Sequence, residues 1–334
     1  MLANHRPSCL QCAGHVLVRV VAASINPIDY KLPSIPVIGW GLCAPVGQDF
    51  SGIVVESAAP GFAIGDAVFG KCAPSGHSGG CLAEFCAPAV SGIAHKPPAL
   101  SHVDAAALVT AGLTSLQALR KGGARPGARV LVVGAAGGCG SVGVQLARIL
   151  VGPSGVVGAV CGAAGAPLVR GLVPDAVVGD YRDPAGVGYP GSPLAAAAPF
   201  DCLYDTVSSA DAGDGLGGRP YDAALAHLVR PAAEGGRTVA INGSVGRWAA
   251  RLVGWEALGF HLLMEEDSAA DLREIAAWAA QGLLCAQIDE GAPRPFTAAG
   301  CAGAFERLRS RRAQGKVVVQ VRQRWRMGGG EGCN

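Results

Sequence analysis

Residues 129–147 read RVLVVGAAGGCGSVGVQLA. An apolar run, Arg129 to Val133, enters a glycine-dense turn at Gly134, Gly137, Gly138 and Gly140, and a stretch with helical spacing follows at once. Glycine lets a chain turn tightly, lets backbone N–H groups approach a pyrophosphate, and lets the helix pack close to its strand. The helix N-terminus then offers unpaired donors and the positive end of its dipole to phosphate. A glycine-rich run in a chain with 50 glycines is weak by itself. The strand before it and the helix after it make it a dinucleotide-binding turn. Ala136, Gly137, Gly138, Cys139 and Gly140 are therefore candidate cofactor contacts.

Outward from this turn the chain alternates. VVGAVCG (156–162), DAVVGDY (175–181), FDCLYDTV (200–207) and GGRTVAING (235–243) read as strands separated by helix-like stretches. That order predicts a doubly wound parallel sheet. The first third differs: HVLVRVVAASI (15–25), GQDFSGIVVE (47–56), APGFAIGDAVFG (59–70) and CLAEFCAPA (81–89) are short, punctuated strands that predict a small antiparallel barrel. The change comes near SHVDAAALVTAGLTSLQALRK (101–121), a helical run with Ser101 as N-cap and Asp104 three residues on. A helix over 298–312 and a last strand, GKVVVQV (315–321), close the pattern. The expected division is 1–108 for a first domain, 109–287 for the nucleotide-binding domain, 288–322 for a return to the first, and 323–334 for a disordered tail. Residues 183–198 and 208–220 read as surface loops.

With 27 basic and 25 acidic side chains, the net charge of +2 gives no footprint for nucleic acid. Arg307, Arg309, Arg311, Arg312 and Lys316 form the one basic cluster, read as a solvated helix face. No apolar run approaches the ~20 residues of a membrane helix, which leaves room only for peripheral membrane association. The N-terminus lacks a secretory core. Cys9 and Cys12 form a CxxC with no second pair, so a structural zinc site is not expected. The twelve cysteines fit buried thiols in a reducing compartment.

Folds that bind NAD place Asp or Glu at the end of the second strand, against the ribose hydroxyls. Here that strand ends in Cys161 and Gly162, and no acidic residue occurs from Gly134 through Pro174. NADPH is therefore expected over NADH, with Tyr181, Arg170 and Arg182 as candidate partners of its 2′-phosphate.

Nine ordered segments resemble the zinc-independent quinone-oxidoreductase-like branch of the medium-chain dehydrogenase/reductase superfamily. They include ASINPIDYKL (23–32), GQDFSGIVVE, the Gly65-Asp66 turn, GGCLAEFCA (79–87), AALVTAGLTSLQAL (106–119), the glycine turn and GKVVVQV. The nearest types are chloroplast-envelope quinone oxidoreductase homologues, alkenal reductases and the mitochondrial reticulon-interacting protein. The resemblance implies an α/β fold in which a Rossmann doubly wound parallel sheet is inserted into a GroES-like antiparallel β-barrel domain, with the site between them. Zinc-dependent members carry Cys where this chain has Asn26 and His where it has Gln48, and amides bind zinc poorly. The resemblance thus implies metal-free hydride transfer from NADPH to a small quinone or α,β-unsaturated carbonyl.

Asn26, Tyr30, Lys31 and Gln48 would then be the polar groups around the acceptor. Thr110 and Thr114 would lie near the nicotinamide and its ribose, and Asn242 and Gly243 near its amide. The surface and turn-forming roles of Tyr30, Lys31 and Asn26 stand beside these. Relatives are monomers or homodimers, in cytoplasm, chloroplast or mitochondrion. The chain departs from the pattern at Ser208-Ser209 and at Val173-Pro174, where glycines are expected, and near Ala164 and Ala166, where relatives carry a basic residue. The missing basic residue, with an opening strand pair that is not seen before His15, motivates a second reading, a non-catalytic NADP(H)-binding sensor or adaptor of the same fold.

Overall fold

The computed structural model describes residues 14–31, 46–72, 80–183, 187, 190–208 and 219–321. Cys9, Cys12, most of the 208–220 loop, and the tail from Arg322 lie outside them.

The first sheet has seven strands: β1 (Val16–Ile25), β2 (Asp49–Ser57), β3 (Ala67–Lys71), β4 (Phe85–Cys86), β5 (Ile93–His95), and, from the far end of the chain, β12 (Arg294–Pro295) and β13 (Val317–Gln320). Their order is β12-β13-β1-β2-β3-β5, with β4 paired to β1. β1 is central and buried along nearly its whole length. It is covered on both faces, not half-exposed as its alternation suggests. All pairs are antiparallel except β12–β13. Among the described residues no pairing joins β5 back to β12, so no closed barrel is seen there. The two-residue β12 ends in Pro295, which has no N–H to extend a ladder.

The second sheet holds β6 (Arg129–Val133), β7 (Val156–Cys161), β8 (Val177–Asp180), β9 (Cys202–Asp205), β10 (Arg237–Ala240) and β11 (Phe260–Leu262), in the order β11-β10-β9-β6-β7-β8. Every pair is parallel. This is the doubly wound order 3-2-1-4-5-6, whose direction reverses between β6 and β9. β11 is the strand that the alternation alone does not reveal; it has three residues and lies at the edge.

Ser101 caps its helix through Asp104 N–H, as its spacing predicts. The run then breaks at Leu108 into two helices, His102–Ala107 and Val109–Lys121. The second packs with the helix Gly138–Val151 against β6, β7 and β9 to form the largest apolar core, which includes Leu113, Leu116, Val132, Val144 and Leu146. A short helix, Pro193–Ala197, occupies part of the expected 183–198 loop.

The basic cluster is a solvated face at Arg309, Arg311 and Arg312, which are exposed, but not at its other two members. Arg307 grips the buried Asp289 with two nitrogens, at 2.7 and 2.9 Å. Lys316 is only 4% exposed.

Candidate active site

The site begins at the end of β6. Gly134 has φ +76°, a left-handed conformation, and a Cβ there would meet Val207 Cγ2 at 2.4 Å. Gly140 lets the next helix approach: its Cβ would stand 2.0 Å from the Gly134 carbonyl oxygen. Gly137 occupies the N-cap position with no side-chain cap, leaving the first-turn N–H groups for a ligand. These are the features a dinucleotide pyrophosphate requires, and the residues present fit it.

The chain returns across this turn from its far end. Gly137 and Gly315 form an isolated parallel bridge, and Gly315 N–H donates to the Ala136 carbonyl at 2.9 Å. Gln314 Nε2 donates to the Ala164 carbonyl at 3.3 Å. Lys316 follows, with its side chain against Gly138.

Lys316 then points into the first sheet. Its ammonium donates to Asn26 Oδ1 and lies 3.5 Å from Asp49 Oδ2. Asn26 Nδ2 donates to Asp49 Oδ2 at 2.8 Å, and Thr110 Oγ1 to Asp49 Oδ1 at 2.5 Å. Asp49 is fully buried, and Asn26 is 5% exposed. A charge so placed needs this many partners to stay in a low-dielectric interior. The Asn26 amide is thus engaged at both ends. Its backbone N–H donates to Asp29 Oδ2 at 2.7 Å. Burial pushes the Asp29 carboxyl up to about 7, with the Asp49 charge adding to the rise.

A second polar group lies at the neighbouring helix turn. Thr114 Oγ1 donates to Glu265 Oε2 at 3.3 Å, and Lys71 Nζ lies 3.0 Å from Glu265 Oε1 and 3.4 Å from Asp267. Burial raises the Glu265 carboxyl to about 7 against the pull of Lys71. Lys71 ends β3 and Glu265 follows β11, so this pair ties one sheet to the other.

The structure gathers Asn26, Thr110 and the turn residues Ala136 to Gly140 around Lys316. Gln48 is buried beside Asp49. Asn242 Nδ2 reaches the Thr206 carbonyl at 3.5 Å, and Thr206 Oγ1 donates to the Val133 carbonyl, so the ends of β6, β9 and β10 converge. Gly243 packs on Leu262. Tyr181 lies over Gly162, whose Cβ would stand 3.3 Å from the phenol oxygen, and the Arg182 guanidinium sits 5.6 Å from the Tyr181 ring. Tyr30 is drawn toward Arg309, whose guanidinium lies 5.1 Å from its ring. Lys31 shares that half-buried turn.

Sequence reasoning does not single out Asp49, Lys71, Glu265 or Lys316. Two of them carried a signal, since Asp49 and Lys316 lie within quoted motifs. Glu265 carried none. Asp180 also enters: it pairs in register with Cys161, placing a carboxylate from β8 beside the end of β7, where it accepts from Arg182 N–H at 2.9 Å.

Comparison with known proteins agrees with this architecture. The family model "Alcohol dehydrogenase GroES-like domain" matches residues 12–98, and "Zinc-binding dehydrogenase" matches residues 175–319. The chain is 30% identical to a trans-enoyl reductase of Aspergillus terreus, covering 93% of this chain and 87% of the relative. It is 29% identical to the 2-methylene-furan-3-one reductase of Solanum lycopersicum, over 91% and 71%. The solved quinone oxidoreductase of Coxiella burnetii superposes with a TM-score of 0.71 at 25% identity, over 92% of this chain and 91% of that one. On the paired sheets, the glycine turn and this likeness, the chain belongs to the medium-chain dehydrogenase/reductase superfamily, in its branch of enoyl and quinone reductases.

Proposed function

We propose that the chain reduces small quinones or α,β-unsaturated carbonyls with a reduced nicotinamide dinucleotide, NADPH in preference to NADH, and with no metal at the reacting centre. The observation that carries this reading is the buried Lys316–Asn26–Asp49–Thr110 network running from the glycine turn into the first sheet. When bound, the dinucleotide supplies hydride from its nicotinamide ring.

The chain's own residues do the rest. The N–H groups at the start of the helix Gly138–Val151 hold the pyrophosphate. Tyr181, Arg182 and Arg170 stand on the adenosine side, and the absence of acid on β7 favours a 2′-phosphate there. Asp180 is the counterweight, and its engagement with Arg182 N–H keeps it occupied. Thr110 and Thr114 line the nicotinamide side, with Asn242 and Gly243 by the amide.

Lys316 is the donor for the oxyanion that develops on the acceptor. An ammonium has three N–H groups; one donates to Asn26, and Asp49 lies at ion-pair distance. Asn26 aims Lys316, so Asn26 acts here as a positioning residue. Gln48, Tyr30 and Lys31 shape the acceptor side. Electrostatic stabilisation by a fixed donor of this kind is worth about 100-fold or more in rate. β11 is an edge strand, with exposed Trp255 and Leu258 in the segment before it; this suits a homodimer as well as a monomer. Among the described residues no helix is long and apolar enough to cross a membrane.

The test is NADPH oxidation against a panel of enones and quinones, with and without chelator. Turnover that survives chelation supports the reading. Tight NADPH binding with no turnover by any acceptor would replace it with the non-catalytic sensor or adaptor. A lower Kd for NADH than for NADPH would reverse the cofactor preference.

A further inference from the structure

Three cysteines that the cleft chemistry does not use meet inside the first sheet. Cys72 follows β3, Cys81 lies in the segment leading to β4, and Cys86 ends β4. Their sulfur atoms all lie within 4.8 Å of one another. Cys72 is 1% exposed, and Cys81 and Cys86 are fully buried. Sequence spacing does not suggest this cluster, because none of the three belongs to a CxxC.

The geometry is close to that of a bound metal. With Zn–S bonds of about 2.3 Å, a tetrahedral site has sulfur–sulfur edges of about 3.8 Å. Closing from 4.8 Å asks for side-chain rotation, not a new backbone. That backbone is well fixed. Cys72 N–H donates to the Gln48 carbonyl at 2.8 Å, Cys81 N–H to the Gly47 carbonyl at 2.9 Å, and Cys86 pairs with Val18 in the β1–β4 ladder. The Cys81 thiol itself donates to the Gln48 carbonyl at 3.1 Å.

The surroundings choose the class of ligand. All three side chains belong to an apolar cluster with Val16, Val18, Phe50 and Val68. In so apolar a wall a thiolate needs a cation beside it. An oxygen-loving ion that keeps its waters has no partners in such a wall, whereas thiolate sites select zinc and cuprous copper. The bland alternative is that the thiols pack as small apolar groups.

We propose that Cys72, Cys81 and Cys86 form a three-thiolate site for a thiophilic d10 cation, Zn2+ or Cu+, distinct from the reacting centre. Binding replaces three S–H protons by one metal: three thiols and the cation give the tris-thiolate complex and three protons, with no change of oxidation state. The site would brace residues 46–48, the approach to Asp49. It does not rest on the reductase reading, because it takes no part in hydride transfer.

The experiment uses the full chain, purified under reducing conditions and stripped of metal. Zn2+ and Cu+ are titrated in separate arms, with Co2+ as a coloured stand-in for zinc. Binding of one ion per chain, a sulfur-to-cobalt charge-transfer band, proton release and a rise in Tm are expected. Cys81→Ala should abolish the band, while the exposed Cys285→Ser should leave it intact. Wild-type protein that shows neither band nor Tm shift with any of the three ions overturns the proposal, whether or not Cys81→Ala folds. A band that persists in folded Cys81→Ala overturns it too. So does a thiol count in denaturant that reveals a disulfide among the three.

Discussion

Two lysine–carboxylate pairs flank the candidate site, and they are built differently. Lys316 and Asp49 are both buried, and the Asp49 carboxylate also receives Asn26 Nδ2 and Thr110 Oγ1. Lys71 and Glu265 keep side-chain exposures of 12% and 10%, and among the described residues Glu265 receives only Thr114 besides its lysine. Burial raises Glu265 to about 7. The number of donors, more than the presence of a lysine, decides how firmly a buried carboxylate holds its charge. The first pair is buried, with its carboxylate met by Lys316, Asn26 and Thr110. The second is a pair whose charge follows pH.

The strongest test of this contrast is Lys316→Met. It strands the Asp49 charge in the interior, a loss of about 3–5 kcal/mol on denaturant unfolding. Turnover with NADPH should fall about 100-fold or more. Wild-type stability in this variant would erase the distinction between the pairs.

Lys71→Met should cost less, about 1–3 kcal/mol, and its cost should grow with pH. The sign follows from linkage. A carboxyl raised from 4.5 to about 7 on folding contributes stability that is complete below about 4.5 and lost as pH rises through about 7. Without Lys71 the neutral form of Glu265 is favoured further, so the variant should be near wild type in Tm at pH 5 and clearly lower at pH 8. A pH-independent loss would show that Glu265 is as firmly ionised as a fixed charge.

Asp29 extends the comparison, because it sits beside the first pair and is itself raised to about 7 by burial and by Asp49. Asp29→Asn keeps an acceptor for Asn26 N–H while removing the charge. It should gain a few degrees in Tm at pH 8, less as the pH falls, and nothing below about pH 3.8. The smallest effect is expected for Thr114→Val, about 1 kcal/mol. A larger loss there than in Lys71→Met would make Thr114 the principal partner of Glu265.

What the sequence discloses follows from range. The glycine turn is local: Gly134, Gly137 and Gly140 encode their own strand–turn–helix, and the parallel sheet around them is legible from alternation. Ser101 and Asp104 likewise declare a cap within four residues. The networks are not local. Lys316 reaches Asn26 across 290 positions, and within its own segment it is one more basic residue. Glu265 carries no mark until β11 brings it to Lys71. Barrel closure is hard to read for a related reason: strand patterns give faces and lengths, whereas closure depends on whether β12 and β5 meet. Leu108 breaks a helix that composition alone runs through. The roles of Tyr30 and Gln48 were read from position in a motif, and the structure fixes their surroundings without assigning them a reaction.

β13 enters the first sheet between β12 and β1, and Gly315 just before it bridges to the glycine turn. During synthesis, then, β1 leaves the ribosome before every other described strand, and its neighbour β13 follows last of them. The nucleotide-binding turn is likewise left without Lys316 until the last strand arrives. Ordering of the two halves is therefore a single late event, governed by a contact of high sequence separation. A chain stopped before Gln314 would keep the strands of the parallel sheet yet lack β13 and the lysine that meets Asn26 and Asp49.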